Sequence, residues 1–212
     1  VNRFGFNPND IVRVTSNGPL LPTRDTILRV FREHLINQAR PGDVVVFHYS
    51  GHGSRVADRN PLPDKSLIGT LVPADATQDS NVVNHITSRT LFLLMAAIQT
   101  ENLTVILDSC YSGGGFRGNT IVRQAPIRAD FNAKDLLASE AEYAYQQQLM
   151  TELELTFDQF QQRRAQGIAK GLTIGSASRS ELAVDMAFNS LYAGAFTYFL
   201  TRYLWPLPVT PP

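Results

Sequence analysis

Two apolar runs, each closed by glycine, constrain this chain more than any other feature. Val44-Val45-Val46-Phe47-His48-Tyr49-Ser50 leads into Gly51-His52-Gly53. Leu103-Thr104-Val105-Ile106-Leu107 leads through Asp108-Ser109 into Cys110-Tyr111-Ser112-Gly113-Gly114. Near-continuous apolar runs rich in β-branched residues suit strands covered on both faces, the strands of a parallel sheet. Helical spacing fills the intervals. Ile27, Val30, Phe31 and Leu35 follow Pro22-Thr23 and stop before Pro41-Gly42, and Leu91, Leu94, Met95 and Ile98 follow a start near Thr87 or Ser88. Ile11-Val12-Arg13-Val14, Leu71-Val72 and Leu172-Thr173-Ile174 read as further short strands, and Ala195–Leu204 as a last helix. The alternation predicts an α/β fold: a mostly parallel sheet flanked by helices on both faces, an α/β/α sandwich.

In such sheets reactive groups gather outside the carboxyl ends of the strands. His52 and Cys110 both stand there. A lone cysteine is ordinarily a small buried hydrophobe, but Cys110 lies past its strand, beside glycines whose N–H groups can face a ligand. His52 sits between two glycines, where packing gives it little reason to be; His34, His48 and His85 read as structural. A thiolate is the nucleophilic form of cysteine, and a neighbouring imidazole can take its proton and return it to a leaving amine. The backbone N–H groups of Gly53 and Cys110 are candidate donors to the oxyanion of a tetrahedral intermediate. No Asp or Asn is evidently placed to orient His52, so the expected machinery of this cysteine hydrolase is a dyad.

Composition sets outer bounds. The 212 residues suit one domain, with 43% hydrophobic and 18% charged residues. A net charge of zero gives no basic surface for nucleic acid or anionic membranes. No apolar stretch is long enough to span a bilayer and no signal peptide is evident, and one cysteine cannot form an internal disulfide; a cytoplasmic protein is expected. The segment 117–167 shows no strand signal. Its first part is irregular and basic, and in its second part Leu149, Leu153, Phe157 and Phe160 share one face of a surface helix. The tail 206–212 is too proline-rich for a helix.

Tyr49-Ser50-Gly51-His52-Gly53 and Asp108-Ser109-Cys110-Tyr111-Ser112-Gly113 resemble the two active-site signatures of the metacaspases and their prokaryotic relatives, the orthocaspases, which are caspase-like cysteine peptidases. Leu71-Val72-Pro73-Ala74-Asp75, Ile174–Ser180 and Gly194–Tyr198 extend the resemblance over most of the chain from Asp43 to Leu204. It implies that residues 1–116 are the large-subunit-like part of one domain, 117–167 a linker and 168–205 the small-subunit-like part. It also implies that His52 and Cys110 form the catalytic dyad. Caspases, which cut after Asp, carry Gln two residues before the nucleophile; Asp108 takes that place here. A carboxylate in the primary pocket would pair with Arg, or with Lys as a point charge, and repel an acidic side chain. The resemblance therefore implies protein or peptide substrates cut after Arg, then Lys, with Ser50 lining the same pocket. The alternative for Asp108 is a carboxylate that caps nearby backbone N–H groups.

Four further expectations follow from the resemblance. Family members open with a central strand and a second acidic pocket residue, whereas this sequence begins later, at Val1-Asn2-Arg3-Phe4, so either an N-terminal piece is missing from it, which is the expectation, or a separate chain supplies that piece. Calcium-dependent members carry acidic residues at places that here hold Ile68-Gly69, His85-Ile86 and Arg117, so no metal is expected and activity should not require calcium. The family cuts itself between the Cys strand and the next one, which makes Arg117, Arg123, Arg128, Lys134, Arg163 and Arg164 the candidate self-processing sites, the uncut linker restricting the cleft. A monomer is expected. The rival readings are an inactive caspase-like scaffold, a related cysteine peptidase of other specificity, and a nucleotide-binding module. The last is weak because no phosphate-cradle motif occurs after Cys110.

Overall fold

The computed structural model describes residues 4–62, 65–109, 121–122, 134–167, 169–176, 184–188 and 191–204. Cys110, Arg117, Arg123, Arg128 and the tail 206–212 lie outside the described residues. Thr23 caps α1 (Arg24–Val30), its hydroxyl accepting from the Thr26 N–H, and the helix runs on through a wider π-type turn over Phe31–Ile36. In chain order there follow β1 (Val45–Ser50), β2 (Gly53–Leu62), β3 (Lys65–Leu71), β4 (Gln78–Asp79), β5 (Val82–Val83), β6 (Ile86–Thr87) and α2 (Ser88–Ala97). Next come β7 (Leu103–Asp108), β8 (Ile121–Val122), β9 (Leu137–Ala138), α3 (Glu140–Glu152), α4 (Phe157–Gln166), β10 (Leu172–Gly175), β11 (Val184–Phe188), β12 (Leu191–Gly194) and α5 (Ala195–Leu204).

The central sheet is parallel, in the order β1-β7-β10, as the two apolar runs predicted. Its side chains alternate between two environments. Val45, Leu103, Val105 and Leu107 point into the main core with Leu93 and Leu94 of α2 and with Ile98 just past its end, all buried. Phe47 joins them edge-to-face with Phe31, ring centroids 5.1 Å apart. Val46, His48 and Ser50 take the opposite face, where Thr197 in the first turn of α5 meets His48 and Asp108. Helices therefore flank the sheet on both faces. At the entry to β10, Gly171 has φ +65°, and a Cβ there would lie 2.1 Å from the Leu103 carbonyl oxygen. Only glycine lets the chain turn that close to β7.

The structure differs from the sequence reading in three places. Ile11 and Val12 are not in a strand; they are 41% and 40% exposed, and no ladder among the described residues includes them. The polar stretch after Gly53, to which the sequence reading assigned no strand before Leu71, forms the hairpin β2–β3, extended by β6. The reason lies in Asp58. Its side chain is 1% exposed and pairs with Arg89 of α2 and, at 3.1 Å, with Arg164 of α4, so a residue that reads as loop points inward on a strand.

The third difference concerns 134–166. The expected single surface helix is two helices, broken where Glu154 adopts φ 52°, and its apolar face belongs to the core: Leu149 is 0% and Phe160 1% exposed. β9 pairs in parallel with β5. The buried Glu142 of α3 ties this segment to the rest of the domain. Its carboxylate accepts from Arg24 Nη2 at 2.6 Å, from the Thr87 N–H at 2.7 Å, from the Thr90 hydroxyl and from Gln146 Nε2.

Candidate active site

Adjacent parallel strands bring Ser50 and Asp108, the described strand ends of the two motifs, to one rim. Ser50 of β1 pairs with Asp108 of β7 as the last rung of the register, and the Gly51 N–H still donates to the Asp108 carbonyl at 3.2 Å. His52 follows at the mouth of the β2 hairpin, exposed. Cys110 lies outside the described residues, two positions beyond that rung along the chain. The Gly53 N–H belongs to a buried residue that opens β2 opposite Leu71.

Tyr49 fixes the backbone of the His52 turn. Its hydroxyl lies 2.8 Å from the His52 carbonyl and 3.0 Å from the Val72 carbonyl, a donor shared between the two, while the Val72 N–H donates to the His52 carbonyl at 3.1 Å. The ring passes so near Gly51 that a Cβ there would meet the tyrosine hydroxyl at 2.9 Å. The glycine before His52 is thus a packing requirement of Tyr49, which sequence reasoning did not single out; an aromatic three residues ahead of the imidazole was the available signal.

His52, Tyr49 and Ser50 line a cavity of about 430 Å³ that also reaches His85 and Leu136. Asp108, by contrast, is 0% exposed. Its Oδ2 accepts from the Thr197 hydroxyl at 2.6 Å and from the Thr197 N–H at 3.3 Å, so the capping role considered for it is realised at the start of α5. Thr197 is a second residue that sequence reasoning missed; its only signal was a place in the weaker Gly194–Tyr198 stretch. Of the remaining candidates, Lys134 is exposed at a turn, Arg163 is exposed within α4, and Arg164 in the same helix is the partner of Asp58.

Of the places compared with calcium-site carboxylates, 68, 69, 85 and 86 are described and Arg117 is not. Ile68 is buried and apolar, and His85 is a buried imidazole sharing a 3.0 Å hydrogen bond with the Thr70 hydroxyl; neither supplies the hard oxygen ligands calcium takes. Among the described residues no group of three or more His, Cys, Asp or Glu side chains could hold a metal ion, and no helix is long and apolar enough to cross a membrane.

Burial pushes the His85 imidazole down to about 4, against a smaller opposing pull from Glu142. Between that value and the ordinary histidine range the unfolded chain takes up a proton that the folded chain refuses. Stability from this group is therefore full above about pH 6.5 and is lost as pH falls towards 4, by about 3 kcal/mol in all. Thermal unfolding followed from pH 7 to 4.5 should show the midpoint falling less steeply in His85→Gln than in the native chain; parallel curves would contradict it.

A parallel α/β sheet with helices on both faces and an imidazole turn at its carboxyl rim defines a caspase-like domain. The chain belongs to the metacaspase family: the model of the metacaspase peptidase C14 domain matches residues 1–117. Metacaspase-1 of Scheffersomyces stipitis is 33% identical over 116 residues, covering 53% of this chain and 28% of that protein. Metacaspase-1 of Schizosaccharomyces pombe is 31% identical over 117 residues (54% and 27%), and metacaspase-1B of Neurospora crassa 35% over 118 (53% and 26%). The matches span only about a quarter of those relatives. The crystal structure of protein GSU0716 from Geobacter sulfurreducens shares the fold, with a TM-score of 0.50 at 22% identity, covering 87% of this chain and 62% of that one.

Proposed function

We propose that this chain is a cysteine endopeptidase that cleaves after Arg, and less readily after Lys, with Cys110 as nucleophile and His52 as its acid–base partner. The observation that carries the reading is the common rim of β1 and β7. His52 departs from the Ser50–Asp108 rung, and Cys110 follows Asp108 by two positions in the sequence. There the imidazole accepts the thiol proton, the thiolate attacks the scissile carbonyl, and the imidazolium returns the proton to the leaving amine. The N–H groups of Gly53 and Cys110 are the candidate donors to the developing oxyanion. Asp108 and Ser50, side by side on one sheet face, supply the negative charge and a hydroxyl for the basic side chain of the substrate. A lone thiol suits a reducing, cytoplasmic setting, and a monomer suffices for this machinery.

The same chain processes itself. The family resemblance supports this, since its members cut themselves between the Cys strand and the next one. Proteases take extended, exposed backbone, which Arg163 and Arg164 inside α4 do not offer. Arg117, Arg123, Arg128 and Lys134 are therefore the favoured sites.

Fluorogenic peptides with Arg, Lys, Asp or Asn before the scissile bond test the proposal. Release is expected after Arg and Lys alone, undiminished by a calcium chelator, and lost in Asp108→Asn for the basic substrates. Cleavage after Asp, or activity that a chelator removes and added calcium restores, would refute the corresponding part.

A further inference from the structure

Thr197 sits on the third residue of α5, and its two donors converge on one carboxylate oxygen of Asp108, across the chain from β7. The N–H is among the four that a helix start leaves without an intrahelical partner. The hydroxyl has one proton, and at 2.6 Å it goes to the carboxylate, since a carboxylate can only accept. His48 Nε2 lies 3.4 Å from the same hydroxyl oxygen, so at that contact the imidazole is the donor. A strand, a helix start and a neighbouring strand thus share a directed chain from His48 through Thr197 to Asp108.

We infer that Thr197 is the positioning residue of the primary pocket: it fixes the rotation of the Asp108 carboxylate and thereby the oxygen offered to a substrate guanidinium. This rests on Asp108 being the pocket carboxylate. A rotatable carboxylate can meet any cation, as a point charge meets another; one held in a single orientation favours the planar fork of Arg over the compact ammonium of Lys. Thr197 therefore sets the preference between the two basic residues, and not the rate of the chemical step.

The test compares native full-length chain with Thr197→Val, Thr197→Ser and Asp108→Asn on matched Arg and Lys peptides. Rates are normalised to active sites titrated with a thiol-reactive peptide inhibitor, so that an unfolded fraction does not count. Thr197→Val should raise KM for the Arg peptide about tenfold, leave kcat within about twofold, and shrink the Arg-to-Lys ratio of kcat/KM. Thr197→Ser, which keeps both donors, should restore native values. If Thr197→Val keeps the native KM and ratio while Asp108→Asn loses basic cleavage, the inference fails and the pocket stands. It fails in the same way if serine does not rescue, or if kcat falls with KM unchanged. If Asp108→Asn cleaves Arg peptides normally, the pocket reading itself fails and takes the inference with it.

Discussion

Cys110→Ala is expected to lower kcat on an Arg peptide by at least about 10³-fold and to leave the purified chain as a single uncut species. His52→Ala should cost nearly as much, and the double variant scarcely more than either alone, because groups that act as a unit in one proton transfer do not contribute additively. The background left over is what the oxyanion donors and substrate binding supply by themselves. Kinetics on the three variants, with electrophoresis of each preparation, check this. Fragments of native size from pure Cys110→Ala protein would remove self-cleavage, and full turnover by His52→Ala would remove the dyad.

Glu142→Ala is expected to be the most destabilising single change away from the rim. The carboxylate is 0% exposed and holds the Arg24 guanidinium, whose side chain is 12% exposed, together with the N–H that opens α2. Removing one partner of a buried pair leaves the other charge without compensation, at a cost of about 3–5 kcal/mol. For a domain of this size that lowers the unfolding midpoint by about 10 °C. Arg24→Leu combined with Glu142→Leu should cost less than Glu142→Ala alone, since no charge is then stranded. Calorimetry on the set decides it; equal or greater loss in the double variant would mean that the pair contributes no charge compensation.

The parallel sheet was legible because β1 and β7 are rich in apolar and β-branched residues, although the face of β1 that carries Val46, His48 and Ser50 is exposed. Helix starts were legible where a hydroxyl precedes the apolar pattern: Thr23 and Thr87 cap α1 and α2. The β2 strand was not, because polar Ser54 and Asp58 take inward positions on either side of Val56, and what makes Asp58 acceptable inside is a pair of arginines far along the chain. Ile11-Val12-Arg13-Val14 misled in the opposite direction, having the composition of a strand but no ladder partner among the described residues. At the site, the imidazole turn was legible from its two glycines. The roles of Tyr49 and Thr197 were not, since each acts through a contact with a backbone carbonyl or a carboxylate that no spacing rule encodes.

The ties made by Glu142 and Arg164 bear on what a cut between 110 and 133 would leave behind. Arg24, Asp58, β1 and β7 would sit on one product, and Glu142, Arg164, β10 and α5 on the other. Drawing them apart would expose ions in oily surroundings and open the middle of the sheet, so the severed halves should stay clasped and exchange partners slowly, if at all.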